Sequence, residues 1–475
     1  MHHTPADTAT TGAGIFNARY VGMISLVSAL GGLLFGYDWV VIGGAKPFYE
    51  RFFQLHSEQL IGWANSCALL GCLLGSMMSG AISDRLGRKK MLLLSALLFA
   101  VSSVFTGLAP RFGFFVTWRI IGGVAIGIAS NVSPTYIAEI SPAPWRGRLV
   151  ALNQLTIVVG ILAAQIVNWL IADKVPDHAT EEFIRQSWNG QYAWRWMFGA
   201  VAVPSAVFFF SALFIPESPR WQATRGLLNR ARHTLARIGG DAYAGNALDE
   251  IRATLVTVSG QTVRLSDLLA RGVRRALLVG VVLAVLQQWS GINVIFNYAE
   301  EIYRTAGYGI NDILFNIVIT GSVNLVFTLV AMGFVDRLGR RPLMLFGCAG
   351  IGISHVLIGF AYRAGLTGLP VLLLTLTTIG CYAMSLAPVT WVLIAEIFPN
   401  QVRGLAVSVS VSALWIACFI LTYTFPWINH AAGPTRTFWL YGGICIAGFI
   451  FIALRVPETR GKTLEQIERE LTRKI

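Results

Sequence analysis

A charged signature appears twice in this chain, each time at the edge of an apolar stretch, and it constrains the fold more than any other feature. Gly80-Ala81-Ile82-Ser83-Asp84-Arg85-Leu86-Gly87-Arg88-Lys89 returns as Gly333-Phe334-Val335-Asp336-Arg337-Leu338-Gly339-Arg340-Arg341. A second pair follows the same rule. Ala138-Glu139-Ile140-Ser141-Pro142 leads to Arg146-Gly147, and Ala395-Glu396-Ile397-Phe398-Pro399 leads to Arg403-Gly404. A looser third pair is Pro216-Glu217-Ser218-Pro219-Arg220 and Pro457-Glu458-Thr459-Arg460-Gly461. All three recur in the same order, so the chain reads as one unit duplicated.

The unit is built for a bilayer. Over 475 residues, 55% hydrophobic content, 13% charge and a mean hydropathy of +0.62 exclude an ordinary soluble protein. Apolar runs of about 20 residues, enough to span, are predicted near 20–44, 58–82, 91–109, 113–138, 148–172, 195–215, 274–303, 312–335, 342–361, 369–395, 404–424 and 437–455. Twelve spans put both termini on one side. The net charge of +13 does not point to nucleic acid. Most Lys and Arg residues fall in the loops on one side of the predicted membrane, the bias that marks the cytoplasmic face. The expected all-α architecture is an N-terminal segment (1–19), a six-helix bundle (20–215), a cytoplasmic helical linker (216–272), a second six-helix bundle (273–455) and a cytoplasmic tail (456–475). Duplicated halves with a substrate held between them are an architecture of secondary transporters.

Other chemistries find no support. The nearest approach to a phosphate-cradling loop is Gly461-Lys462-Thr463, but the earlier Gly it requires would fall at Val456. The six cysteines lie in apolar spans without metal spacing, and the histidines are scattered, so neither metal nor cofactor is expected and no enzyme activity is predicted. The first residues carry no basic, then apolar, export signal. The excess of Arg over Lys, 31 to 6, is the usage of a GC-rich bacterial genome, which points to a bacterial inner membrane. In the linker, Trp221, Leu227, Leu228, Ala231, Leu235 and Ile238 recur at helical spacing among arginines, and Ala247, Leu248, Ile251 and Leu255 continue it. In the tail, Thr463 and Gln466 form a capping box.

The charged motifs suit a gate. Asp84, Arg85, Arg88, Glu139 and Arg146, with Glu217 and Arg220, sit at span ends, as do Asp336, Arg337, Arg340, Glu396, Arg403 and Glu458. Carboxylates and guanidinium groups at helix ends complement the helix dipoles. Ion pairs among them are expected to bridge the halves on one side and break when that side opens. Within the spans polar residues are expensive and mark a pathway. Gln287, Gln288, Asn293 and Asn297 share one span, yet at 100° per residue they form no single stripe. Gly291 is therefore expected to unwind the helix locally. Amides donate and accept at once, as sugar hydroxyls do. Asp38 is the one acidic residue placed well inside a span, and Arg119 the only basic residue placed to meet it.

These residues carry a resemblance. The chain resembles the sugar porter family of the major facilitator superfamily, in particular the bacterial proton–xylose symporters, and is related to facilitative glucose transporters. The motifs are Gly31-Gly32-Leu33-Leu34-Phe35-Gly36-Tyr37-Asp38, Arg119-Ile120-Ile121-Gly122-Gly123, Pro216-Glu217-Ser218-Pro219-Arg220-Trp221, Gln287-Gln288-Trp289-Ser290-Gly291-Ile292-Asn293 and Pro457-Glu458-Thr459-Arg460-Gly461. The resemblance implies that Gln154, Gln287, Gln288, Asn293, Asn324, Trp391 and Trp415 contact a sugar, and that Asp38 pairs with Arg119 to couple a proton. The expected partners are a monosaccharide, a proton and the bilayer, with no nucleic acid and no obligatory protein. Passive uniport is the rival within sugar transport, and export of another small solute the rival outside it. This chain departs from the family pattern at Asn297 (Tyr), Ala387 (Gly), Leu414 (Gln or Asn) and Val201 (Glu), so xylose is not to be assumed.

Overall fold

The structure, a computed structural model, describes residues 16–176, 179–258, 268–399 and 402–460. The first half comprises α1 (Ala18–Phe53), α2 (Glu58–Leu86), α3 (Arg88–Gly107), α4 (Phe112–Ile140), α5 (Arg146–Ile171), the short α6 (Glu181–Gln186), and α7 (Trp194–Gly199) leading into α8 (Ala202–Phe214). An insert follows, with α9 (Pro219–Thr224) and α10 (Leu228–Val258). The second half comprises α11 (Arg271–Trp289), α12 (Ile292–Asn297), α13 (Ala299–Thr305), α14 (Ile310–Leu338), α15 (Arg340–Arg363), α16 (Leu369–Met384), α17 (Leu386–Glu396) and α18 (Arg403–Arg455).

Eleven described helical segments are long and apolar enough to cross a bilayer. The last, α18, runs 53 residues and turns at Gly433 (φ 77°), just before Pro434, so it supplies two passes and brings the total to twelve. The largest departure from the expected boundaries is in α1. It starts on the Asn17 side chain, which accepts from Tyr20 N at 3.0 Å, and continues through Pro47 to Phe53, nine residues past the expected end. Large side chains such as Phe214 (84% exposed) and Leu454 (72%) cover the outer surface. A band of exposed apolar residues is what a lipid-facing surface requires.

The halves repeat one packing plan. In the first, α2 packs on α4, α1 on α5 and α3 on α8; in the second, α14 packs on α16, α11 on α18 and α15 on α18. Between them α2 meets α18 and α5 meets α14, a matched pair of contacts about the seam. Small residues set these distances, as expected where lipid offers no hydrophobic drive between helices. A Cβ on Gly123 of α4 would lie 1.9 Å from Ala68 O of α2, and one on Gly160 of α5 would lie 2.0 Å from Leu33 O of α1.

The insert helices build a small core from Ala223, Ala231, Leu235, Ala244 and Leu248, with Leu228, Ala247 and Ile251 against it. This matches the helical spacing read from the sequence, with a break at Gly239–Gly240. The insert docks on the first half: Asn17 N donates to Ile238 O at 2.9 Å, and Phe16 packs edge-on against Trp145 and Tyr243. The side chain of Leu255 and the Thr463–Gln466 capping box lie outside the described residues.

The α2–α4 contact gives a stability test. Gly123→Val would drive a side chain into backbone that cannot rotate away, at a cost of about 3 kcal/mol. The detergent-solubilised variant is expected to melt several degrees lower or lose its monodisperse peak. Gly113→Val, on the same helix with no atom within 4 Å of a Cβ, is expected to leave both unchanged.

Candidate functional site

The site is organised by two interrupted spans. After Trp289 the chain leaves the helix at Ser290 and turns through Gly291 in a left-handed conformation, φ +86°. This is the unwinding expected from the amide pattern. Val294 N then bonds to Gly291 O at 3.1 Å, leaving Ser290 O without its helical donor. In a low-dielectric setting that carbonyl needs another partner. The His355 ring of α15 supplies it, with Nε2 2.8 Å from Ser290 O. His355 is fully buried, and a Cβ on Gly291 would lie 2.8 Å from that same Nε2, so Gly291 also makes room for the imidazole. The second interruption falls at Ser385, between α16 and α17, and is held by Ser385 Oγ donating to Cys381 O at 2.5 Å.

The break brings three of the expected amides into one chain. Gln287 Nε2 donates to Leu386 O (3.1 Å) and Ala387 O (3.3 Å) at the start of α17. Gln288 Nε2 donates to Gln287 Oε1 at 3.3 Å, and Asn293 Nδ2 to Gln288 Oε1 at 2.5 Å. Gln154 on α5, Asn324 on α14 and Asn297 at the end of α12 share no hydrogen bond with this chain among the described residues. Asn324 and Asn297 are buried and Gln154 is half-buried. Trp415 of α18 is buried and packs across the seam against Trp39 (5.8 Å) and Phe35 (6.0 Å) of α1, while Trp391 on α17 is half-buried. Buried polar atoms with no protein partner include both amide atoms of Gln165, Asn297 Oδ1, Asn316 Nδ2 and Trp415 Nε1. Gln165 reaches from α5 across to α14, where a Cβ on Gly321 would collide with its Oε1. Leu414 and Ala387 bring apolar atoms to the second half's side, and Val201 is buried.

Asp38 and Arg119 meet as the resemblance implies. Arg119 Nη1 lies 2.8 Å from Asp38 Oδ1, both residues under 5% exposed. Arg119 Nη2 also donates to the Asp38 backbone O at 3.4 Å, so only one prong meets the carboxylate; among the described residues Asp38 Oδ2 and Arg119 Nε have no partner, and Arg119 lies 5.2 Å from the Phe198 ring.

The repeated motifs form two matched clasps at the insert end. In the first, Arg88 holds Glu139 through Nε (3.0 Å) and Nη2 (3.1 Å), and Asp84 through Nη1 (2.9 Å). Ser218 Oγ donates to Glu139, and Glu217 accepts from the N–H groups of Arg88 and Lys89 at the start of α3. In the second, Arg340 Nη2 lies 3.4 Å from Glu396, Thr459 Oγ1 donates to Glu396, and Glu458 accepts from Arg340 N and Arg341 N. Gly87 (φ +101°) and Gly339 (φ +93°) allow both approaches, since a Cβ there would strike Glu217 or Glu458. Burial pushes the Glu217 carboxyl above the usual range. Burial acts the same way on Glu458, but backbone N–H groups of Arg460, Arg340, Arg341 and Thr459 outweigh it and hold the carboxyl below that range.

Each clasp closes within its own half. Among the described residues the ion pairs do not bridge the halves as the sequence suggested, because Glu139 and Glu396 end the helices packed beside α3 and α15 of the same bundle. Arg85, Arg146, Arg220 and Arg337 are exposed on the insert face, and Arg403 donates to Phe398 O. The Asp336 side chain lies outside the described residues.

The sequence reading missed a second set of charges. Lys46 on α1, 1% exposed, lies within reach of Glu50 (3.0 Å), of Glu300 (3.3 Å) and of Glu301. Asp38 is thus not the only acid deep in a span, nor Arg119 the only cation. Ending the first span at residue 44 hid Lys46. The Lys46–Glu50 spacing of four inside a continuing helix, facing paired acids at 300–301, was the available signal.

Known proteins agree with this architecture. The family model described as "Sugar (and other) transporter" matches residues 24–471. The D-xylose-proton symporter of Escherichia coli (strain K12) is 36% identical, over 95% of this chain and 96% of the relative. A glucose transport protein of Synechocystis sp. is 40% identical, over 95% and 97%. Among solved structures, the xylose transporter XylE from E. coli in a partially occluded inward-open conformation superposes with a TM-score of 0.82 at 35% identity, covering 94% of this chain and 100% of that one. With the repeated clasps, the interrupted spans and the likeness running the length of the chain, this is a multi-pass membrane protein of the sugar transporter family, with the major facilitator fold.

Proposed function

We propose that this chain imports a monosaccharide together with a proton by alternating access. The observation that carries the reading is the amide chain Gln287–Gln288–Asn293, placed by an interrupted span of the second half, together with the half-satisfied Asp38 carboxylate buried on Arg119 in the first. The insert end, rich in Arg and Lys, is assigned to the cytoplasm, with both termini there and the membrane taken as a bacterial inner membrane. In the cycle, a proton from outside neutralises Asp38 and releases Arg119. The sugar binds among Gln154, Gln287, Gln288, Asn293, Asn297 and Asn324, with Trp391 and Trp415 against the apolar faces of its ring. The halves then rock and the proton leaves inside. The insert-end clasps stiffen each half, so that Asp84, Arg88, Glu139 and Glu217, with their counterparts Arg340, Glu396 and Glu458, govern the opening of that end.

Relatives of similar identity are named for xylose and for glucose, so family membership leaves the sugar open. The buried Leu414 beside Trp415 withdraws one hydrogen-bonding position and favours a sugar with fewer hydroxyls to satisfy on that side. Uptake of a panel of labelled monosaccharides into proteoliposomes, with and without a proton gradient, tests the reading directly. Failure to accumulate any of them would exclude it.

Two substitutions test its parts. A proton carried through ~100 mV supplies ~2.3 kcal/mol, about fifty-fold accumulation at one-to-one coupling. Asp38→Asn is expected to abolish accumulation while sugar–sugar exchange continues; accumulation at the wild-type level would leave passive uniport or another proton carrier. His355→Leu leaves the buried Ser290 carbonyl only the long Cys445 Sγ contact at 3.8 Å, a loss of about 1–3 kcal/mol. It is expected to weaken sugar binding at least roughly fivefold, with His355→Gln recovering part of the loss; equal affinity in all three forms would show that the break does not depend on the imidazole.

A further inference from the structure

We propose that Lys46, with Glu50, Glu300 and Glu301, is a latch that holds the two halves together at the end away from the insert and thereby sets the balance between the two access states. Lys46 belongs to α1 of the first half, and the acids at 300 and 301 to α13 of the second. The cluster joins residues 254 apart in sequence. It lies where the halves touch: a Cβ on Gly43, one turn before Lys46, would come within 2.5 Å of Phe296 O, and the Lys46 ammonium lies 5.7 Å from the Tyr298 ring. Nearby, the Asn311 amide donates to Val175 O at 2.8 Å and accepts from Val175 N at 3.0 Å, a second polar tie between the halves at the same end.

The pairing has a property that a fixed structural ion pair lacks. Each side carries its own replacement partner on its own helix. Glu50 is four residues from Lys46, and Arg304 is four residues from Glu300, with Nη1 3.1 Å from Oε1. Separation of the halves breaks the Lys46–Glu300 and Lys46–Glu301 contacts yet leaves Lys46 on Glu50 and Glu300 on Arg304. Breaking an isolated buried pair leaves charges uncompensated. Here Lys46 and Glu300 keep local partners, and Glu301, whose side chain is already 17% exposed, is hydrated as water enters, so the latch can open and close without stranding a buried ion. Removing Lys46 has the opposite effect: three carboxylates then face one another while the halves are closed, and that state is the one penalised. Among the described residues the insert end shows no counterpart of this kind in its clasps, each of which closes inside its own half.

This inference rests on the alternating-access reading, and hydrogen–deuterium exchange on the full-length protein in detergent separates the two. Wild type with and without a transported monosaccharide provides the reference. In Lys46→Met, segments 43–53 and 292–305 are expected to exchange at least roughly fivefold faster, and segment 136–150 at the insert end correspondingly slower, as the equilibrium moves toward the state open at the far end. Glu301→Gln is expected to act oppositely or not at all on these segments, because it relieves rather than creates repulsion. The charge exchange Lys46→Glu with Glu300→Lys is expected to return both ends toward wild type. Faster exchange at both ends of Lys46→Met, or no change at either, overturns the latch. If Lys46→Met yields no monodisperse protein, Lys46→Gln and the charge-exchanged double variant decide by the same reciprocal criterion. A wild type whose ends never change reciprocally overturns alternating access itself.

Discussion

The structure depends on one constraint: backbone and charged groups inside a bilayer must find partners within the protein. A continuous helix meets it automatically but presents only one stripe of side chains. Helices that break at Ser290–Gly291 and at Ser385 present more, at the cost of carbonyls that lose their donors. His355 covers Ser290 O and Ser385 Oγ covers Cys381 O, while Gln287 ties the first break to the second by donating to the first carbonyls of α17. The polar side chains that remain, Gln288 and Asn293, are aligned by those repairs. Site and scaffold are therefore the same set of hydrogen bonds.

Duplication supplies the second constraint. The clasps are copies: Arg88, Glu139, Ser218 and Glu217 correspond one for one to Arg340, Glu396, Thr459 and Glu458. They differ in strength. Arg88 grips Glu139 with two nitrogens near 3 Å, whereas Arg340 reaches Glu396 with one at 3.4 Å. Charge-assisted, bidentate contacts are the stronger kind. The first half also carries the docked insert and the Asp38–Arg119 pair.

Much of this was legible in the sequence because it depends on spacing or repetition. The twelve passes, the paired motifs, the break at Gly291 and the Asp38–Arg119 contact all follow from residues whose cost in a membrane is high wherever they point. What was hidden depends on which helix face meets which. The clasps looked like bridges between halves because sequence gives their charges but not the packing of α3 on α4. Lys46 looked like a loop residue because a run of apolar character ends at 44, although the helix itself continues through Pro47 to Phe53. His355 had no visible partner, since its acceptor is a backbone carbonyl released by a break 65 residues earlier. Nor does composition show that Gly123 and Gly160 touch neighbouring backbone; a glycine in a membrane helix reads alike whether it faces lipid or a crossing.

Three sets of charges lie at successive depths, and they differ in what they can tolerate. At the insert end the clasps are partly hydrated and stay within one half, so solvent can replace each contact during motion. Asp38–Arg119 is buried inside the first half with no alternative cation beside it. A change there calls for neutralisation, because moving a charged carboxylate off its only partner in a membrane interior costs on the order of 3 kcal/mol. The Lys46 cluster spans the seam and carries replacement partners on both helices, so it changes by re-pairing without neutralisation. In the proposed cycle a proton acts at the middle set while the outer two follow the rocking of the halves. In that cycle a change at one buried pair is coupled to a movement that breaks ion pairs far from it.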